Sequence, residues 1–167
     1  MKKILIIAAA VFSCMIVQAQ TKGSIKIYGF QQPVLGGAAQ GNIVNEKGDE
    51  VPMVREAKFN YLVYTASAAT IIPVEIWLKG KAYAAAPQKV TLPVVFDNPT
   101  MIEKKILVPK SSKKVLQLEL RDLKGKGNTR AKQLAASNQL VVVYKQAGKT
   151  YYQTLKKLTE LEAVIMP

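Results

Sequence analysis

Val74-Glu75-Ile76-Trp77-Leu78-Lys79 decides the fold class. Apolar side chains alternate with charged or bulky ones at a period of two, the pattern of a strand that buries one face. Ser24-Ile25-Lys26-Ile27-Tyr28 and Val115-Leu116-Gln117-Leu118-Glu119-Leu120 repeat it. Runs at 58–65, 89–96, 102–108, 140–145 and 149–155 are rich in Val, Ile, Tyr and Phe, and a last strand is expected at 161–166. The breaks between them carry turn chemistry. Glu46-Lys47-Gly48-Asp49 separates Ile43-Val44 from Val51-Pro52. Gln146-Ala147-Gly148 reads as a three-residue hairpin loop that pairs Lys145 with Lys149 and Val143 with Tyr151. Pro93, inside the run 89–96, demands an edge position or a bulge.

One stretch departs from this rhythm. Lys124-Gly125-Lys126-Gly127 reads as a flexible basic loop. The residues after it suit a short helix capped by Asn128 or Thr129 and ending near Asn138. Segment 121–138 is therefore expected to cross between two sheets, and 31–42 is the other long connection. Short strands with frequent turns imply an all-β domain, an antiparallel immunoglobulin-like β-sandwich of about 7–9 strands. A small β-barrel is the alternative.

The amino terminus supplies an address. Lys2 and Lys3 precede an apolar run from Ile4 to Phe12, and Val17-Gln18-Ala19 offers small residues for a signal peptidase before Gln20. That run is shorter than the roughly 20 apolar residues a membrane span needs. The expected organisation is a signal peptide at 1–19 and one domain at 20–167, exported to the periplasm or the cell surface. Cys14 admits a second reading as a lipidated cysteine, but Phe12 is bulky for that motif and Met15-Ile16-Val17 would be an apolar new start.

Composition excludes several chemistries. Cys14 is the only cysteine and the chain has no histidine. The exported part thus has no disulfide, and neither Ser-His-Asp nor Cys-His catalysis is open to it. No cofactor or metal is expected. Net charge is +13, and removing Lys2 and Lys3 from the 24 basic residues leaves 22 against 11 acidic ones. Residues 103–167 hold 14 of those basic residues and 5 of the acidic ones. Long-range attraction to anionic partners follows. Export directs that expectation to envelope proteins, glycans or an anionic surface rather than to nucleic acid.

Short motifs carry little. Gly148-Lys149-Thr150 lacks the earlier glycine of a phosphate loop, since position 143 is Val. Ser111-Ser112-Lys113-Lys114 matches the Ser-x-x-Lys pattern of penicillin-binding enzymes without its companions, and Pro109 suggests a turn. Glu46, Asp49 and Glu50 form a charged turn rather than a calcium loop. Asn98-Pro99-Thr100 is barred from glycosylation by its proline. Glu75, Asp97, Glu103, Glu119 and Asp122 are available to a carboxylate enzyme, but each fits a strand-face or turn charge.

Trp77 is the outstanding single residue. Alternation turns Val74, Ile76 and Leu78 inward and Trp77 outward, where it would stack on a sugar or anchor a protein partner unless a loop covers it. Arg121, Lys124, Lys126, Arg130 and Lys132, with Lys145 and Lys149 at the hairpin tip, form the candidate anion-binding surface. Their alternative role is to keep loops solvated.

The signal ending in Val17-Gln18-Ala19-Gln20, with a hairpin over 141–153 and a terminal apolar strand ending in Met166-Pro167, resembles small secreted proteins of unknown function from Gram-negative bacteria. Gly41, Ile43, Val44, Gly48, Val51 and Pro52 resemble the first hairpin of carboxypeptidase-regulatory-like (transthyretin-like) domains. That resemblance implies a non-catalytic β-sandwich module, although the family's glycine shortly after Pro52 is missing. A non-enzymatic envelope-binding module is the leading expectation. A carrier sheltering an apolar ligand between its sheets is the alternative.

Overall fold

The computed structural model describes residues 25–35, 42–44, 47–52, 58–97 and 104–165. The expected signal peptide with Cys14, the segment 36–41, Glu46, Glu103 and the tripeptide 98–100 lie outside them.

Among the described residues the structure is all-β apart from one short helix. Its strands are β1 (Ile25–Leu35), β2 (Asn42–Val44), β3 (Glu50–Pro52), β4 (Lys58–Ser67), β5 (Ile72–Leu78), β6 (Lys81–Lys89), β7 (Val94–Phe96), β8 (Lys105–Val108) and β9 (Lys114–Asp122). After α1 (Thr129–Ala135) come β10 (Leu140–Gln146), β11 (Lys149–Leu155), β12 (Thr159–Glu160) and β13 (Val164–Ile165). One large sheet runs β11-β10-β5-β6-β9-β4-β1-β12, with β13 also on β1. Among the described residues only the β1–β12 and β1–β13 pairings are parallel. β2–β3 and β7–β8 are separate hairpins.

This sheet curls until its two ends share one core. Ile25 and Ile27 of β1 pack in the same cluster as Leu140, Val142 and Tyr144 of β10, together with Val63, Ile76, Leu78, Leu116 and Leu118. Gly29 marks the closest approach. A Cβ there would stand 2.6 Å from Leu158 and 2.7 Å from Leu140, so β1 can cross only with a bare backbone. Lys79, in the β5–β6 turn, reaches across to place its ammonium 4.8 Å over the Phe59 ring of β4. The curl suits the barrel alternative, with the return after β11 laid along the gap. There Gln139 accepts from the Leu158 N–H at 2.8 Å, and the Leu161 N–H donates to the Gln31 carbonyl at 2.8 Å.

The convex face is covered in two places. β7 and β8 lay Val94, Phe96, Leu107 and Val108 over Phe30, Tyr64, Ala66 and Val115. α1 and its approach cover Trp77, Val141 and Val143 at the other end. A single curled sheet thus buries apolar side chains on both of its faces.

Several expectations change in detail. β1 continues through Gly29 and Pro33 to Leu35, so residues 31–35 of the expected 31–42 connection are strand. The run 89–96 divides just before β7, because Pro93 has no N–H for a ladder. β6 is Ala-rich and gives no alternation to read. Its Pro87 is tolerated because β5 pairs with β6 only as far as Ala84. The β10–β11 loop has two residues rather than three: Ala147 (φ 47°) and Gly148 (φ 75°) both take positive φ, a type I′ geometry that matches strand twist. Lys145 consequently pairs with Thr150, and Val143 with Tyr152. Of the expected strand 161–166, the described residues 161–165 contribute only the short β13. The crossover 121–138 stays within the one sheet, passing from β9 over β6 and β5 to β10. Among the described residues no helix is long and apolar enough to cross a membrane.

Candidate functional site

The crossover is where the sequence concentrates its functional signals, and the structure builds it into an ordered layer. α1 opens as anticipated. The Asn128 side chain accepts from the Ala131 N–H at 3.0 Å, satisfying one of the helix's free donors. At the other end Asn138 donates to the Leu134 carbonyl at 2.7 Å. Ala131 is fully buried, while Arg130 and Lys132 point to solvent.

Beneath the helix lies an acidic anchor. Glu75 is on the convex face of β5 and only 7% exposed. Its carboxylate accepts from the Trp77 indole N–H and takes the Asn128 backbone N–H at 2.9 and 3.2 Å. The Tyr152 hydroxyl on β11 donates to Asn128 Oδ1 at 3.3 Å. A buried carboxylate is stable only when its lone pairs are met, and here the Trp77 indole of its own strand and the Asn128 backbone of the crossover meet them. Gly127 completes the fit. A Cβ at that position would come within 2.7 Å of the Trp77 ring and 2.8 Å of Glu75. The expectation of a flexible loop therefore fails at Gly127, which is close-packed.

Trp77 does face outward, as alternation requires, yet it is 6% exposed because α1 lies across it. It is a core residue of the convex layer rather than a platform for a sugar or partner. Val74 is also corrected. The ladder to β10 shifts between Val143 and Tyr144, leaving Val74 bulged outward and 40% exposed.

The seven basic candidates are all exposed. Arg121 is the penultimate residue of β9 and lies 3.6 Å from Glu119, while Lys124, Lys126, Arg130 and Lys132 follow along the crossover and helix. Lys145 continues the outward row of Val141 and Val143 on β10, so it shares the convex side. Lys149 pairs with Gln146 and belongs to the opposite, concave row. The two-residue turn thus parts Lys145 from Lys149.

The carboxylates do not converge. Glu75 is committed beneath α1, Asp97 bonds Lys104 at 2.7 Å on β7, and Glu119 on β9 accepts from Gln88. Among the described residues no group of three acidic, Cys or His side chains is placed to hold a metal ion. Ser111 opens an exposed turn in which its hydroxyl accepts from the Lys113 N–H at 3.1 Å, a setting unlike the helix start of the Ser-x-x-Lys enzymes.

Inside the curl, sequence reasoning missed a polar feature. Thr65 Oγ1, Ser67 Oγ and Tyr144 Oη are buried and find no hydrogen-bond partner among the described residues. Thr65 and Ser67 share the concave row of Val63, and Tyr144 stacks on Tyr151 with centroids 5.7 Å apart. Burial, helped by Tyr151, pushes the Tyr144 phenol above its usual range. No sequence signal marks these hydroxyls, since Thr, Ser and Tyr are ordinary strand residues. In comparisons with protein-family models, curated proteins and solved structures, nothing matches this chain.

Proposed function

We propose that this protein is a non-enzymatic module of the cell envelope that binds an acidic protein or glycan through its crossover layer. The observation that carries the reading is the convex basic side: Arg121, Lys124, Lys126, Arg130, Lys132 and Lys145 are exposed along one ordered segment and the strand beside it. Because Glu75 and Gly127 pin that segment to the sheet, its cations are held on a firm base, which lowers the entropy lost on binding. The lack of histidine and of any cysteine after Cys14 supports a binding role over a catalytic one. Trp77 no longer belongs to the surface, and Lys149 sits at its margin.

Affinity capture or cross-linking in the envelope, compared between the natural chain and a Lys124→Gln/Lys126→Gln/Lys132→Gln variant, tests this. A partner lost with the variant and weakened by salt supports it. Capture that ignores both would overturn it.

A second reading has its own observation. A mostly aliphatic interior with three partnerless hydroxyls suits a small apolar ligand that has one polar end. Native mass spectrometry of protein from its own host would show the added mass, and a bare chain mass would exclude it.

A further inference from the structure

The lysines of the crossover are not the densest on the molecule. Residues 104–114 read Lys-Lys-Ile-Leu-Val-Pro-Lys-Ser-Ser-Lys-Lys, five cations in eleven residues without an acid. All five are exposed. They flank the β7–β8 hairpin, whose two faces differ. Val94, Phe96, Leu107 and Val108 pack down on the convex sheet. A bulge between Val94 and Val95 lets Leu107 and Val108 both turn inward. The cross-strand partners Val95 and Ile106 are left on the outer side, 40% and 59% exposed. Among the described residues Asp97 is the acid beside them, and it is already engaged by Lys104 at 2.7 Å.

We propose that this face docks on the surface of a bilayer that carries anionic phospholipid. A pair of aliphatic side chains costs free energy in water and gains it on entering the headgroup boundary. Lysines around the pair are drawn by the negative surface potential, which acts within about a Debye length. A soluble polyanion would reward the lysines but not Val95 and Ile106, so the combination selects a lipid surface. The hairpin is held rigidly by the apolar cluster beneath it, and Ser111 fixes the turn that carries Lys110 and Lys113. This site lies on the opposite flank of the convex face from α1 and is independent of the crossover reading.

Vesicle co-sedimentation of the expected mature chain, residues 20–167, which keeps every described residue, tests it. Vesicles of phosphatidylglycerol with phosphatidylethanolamine are expected to bind the chain, and pure phosphatidylcholine vesicles are not. Lys110→Gln/Lys113→Gln should weaken binding by about thirtyfold at low salt. Val95→Ser/Ile106→Ser should weaken it by about tenfold or more, with the thermal melt showing that each variant folds. Lys124→Gln/Lys126→Gln should leave vesicle binding unchanged, which separates this proposal from partner capture by the crossover. Equal binding to phosphatidylcholine, or no binding, overturns the proposal. Loss with the lysine variant but not with Val95→Ser/Ile106→Ser reassigns the face to a soluble polyanion. Loss only with Lys124→Gln/Lys126→Gln moves the lipid contact away from the hairpin.

Discussion

Tyr144 carries its hydroxyl into the concave core, fully buried and without a partner among the described residues. A buried polar atom in that state has lost its water and gained nothing in exchange. Tyr144→Phe should therefore raise the stability of the ligand-free chain by about 1 kcal/mol, read as a higher denaturant midpoint at unchanged slope. Thr65→Val should act in the same direction. A loss of stability in both would mean that the hydroxyls are satisfied in solution. Gly127 shows the opposite kind of constraint. With the Trp77 ring and the Glu75 carboxylate both inside 3 Å of a new Cβ, Gly127→Ala should cost about 1–3 kcal/mol by overpacking. An unchanged melting temperature would show that the crossover can lift away.

At the scale of elements, α1 has only seven residues and would not hold its shape alone. Its stability is tertiary: Ala131, Leu134 and Ala135 lie on Trp77, Val141 and Val143, and Glu75 ties its first turn down. Asn128→Ala should cost about 1 kcal/mol through the lost cap, and more if the Tyr152 contact counts. Amide exchange should then quicken over 128–136 while β10 stays protected. Uniform loss of protection would show instead that the helix and sheet open together. The cap was legible in the sequence because Asn at a helix start acts locally. Its second role was not, because Glu75 and Asn128 lie 53 residues apart. The same holds for Trp77: alternation set the face correctly, and burial depended on a segment arriving from elsewhere.

For the whole molecule, the curled sheet places phenols in both of its packed faces. Burial raises the Tyr64 phenol on the convex side and the Tyr144 phenol on the concave side above the ordinary value near 10. Both fold with their protons on. Below pH 10 they add no pH dependence. As pH rises past 10 the unfolded chain releases protons that the folded chain still holds, so stability falls until the folded values are passed. Thermal melts between pH 9 and 11 should show this decline, shallower in Tyr144→Phe, and a flat profile in that window would refute it.

The alternating runs were enough for the all-β class, the helix cap and the basic second half, because each is written in neighbouring residues. How those runs close was left to long-range contact. Gly29 passing bare beneath Leu140 and Leu158, β12 and β13 returning in parallel to β1, and α1 lying over Trp77 all join distant parts of the chain. A period of two says which side of a strand is apolar. It is silent on what will cover that side, since coverage is settled by packing between segments that no local pattern connects.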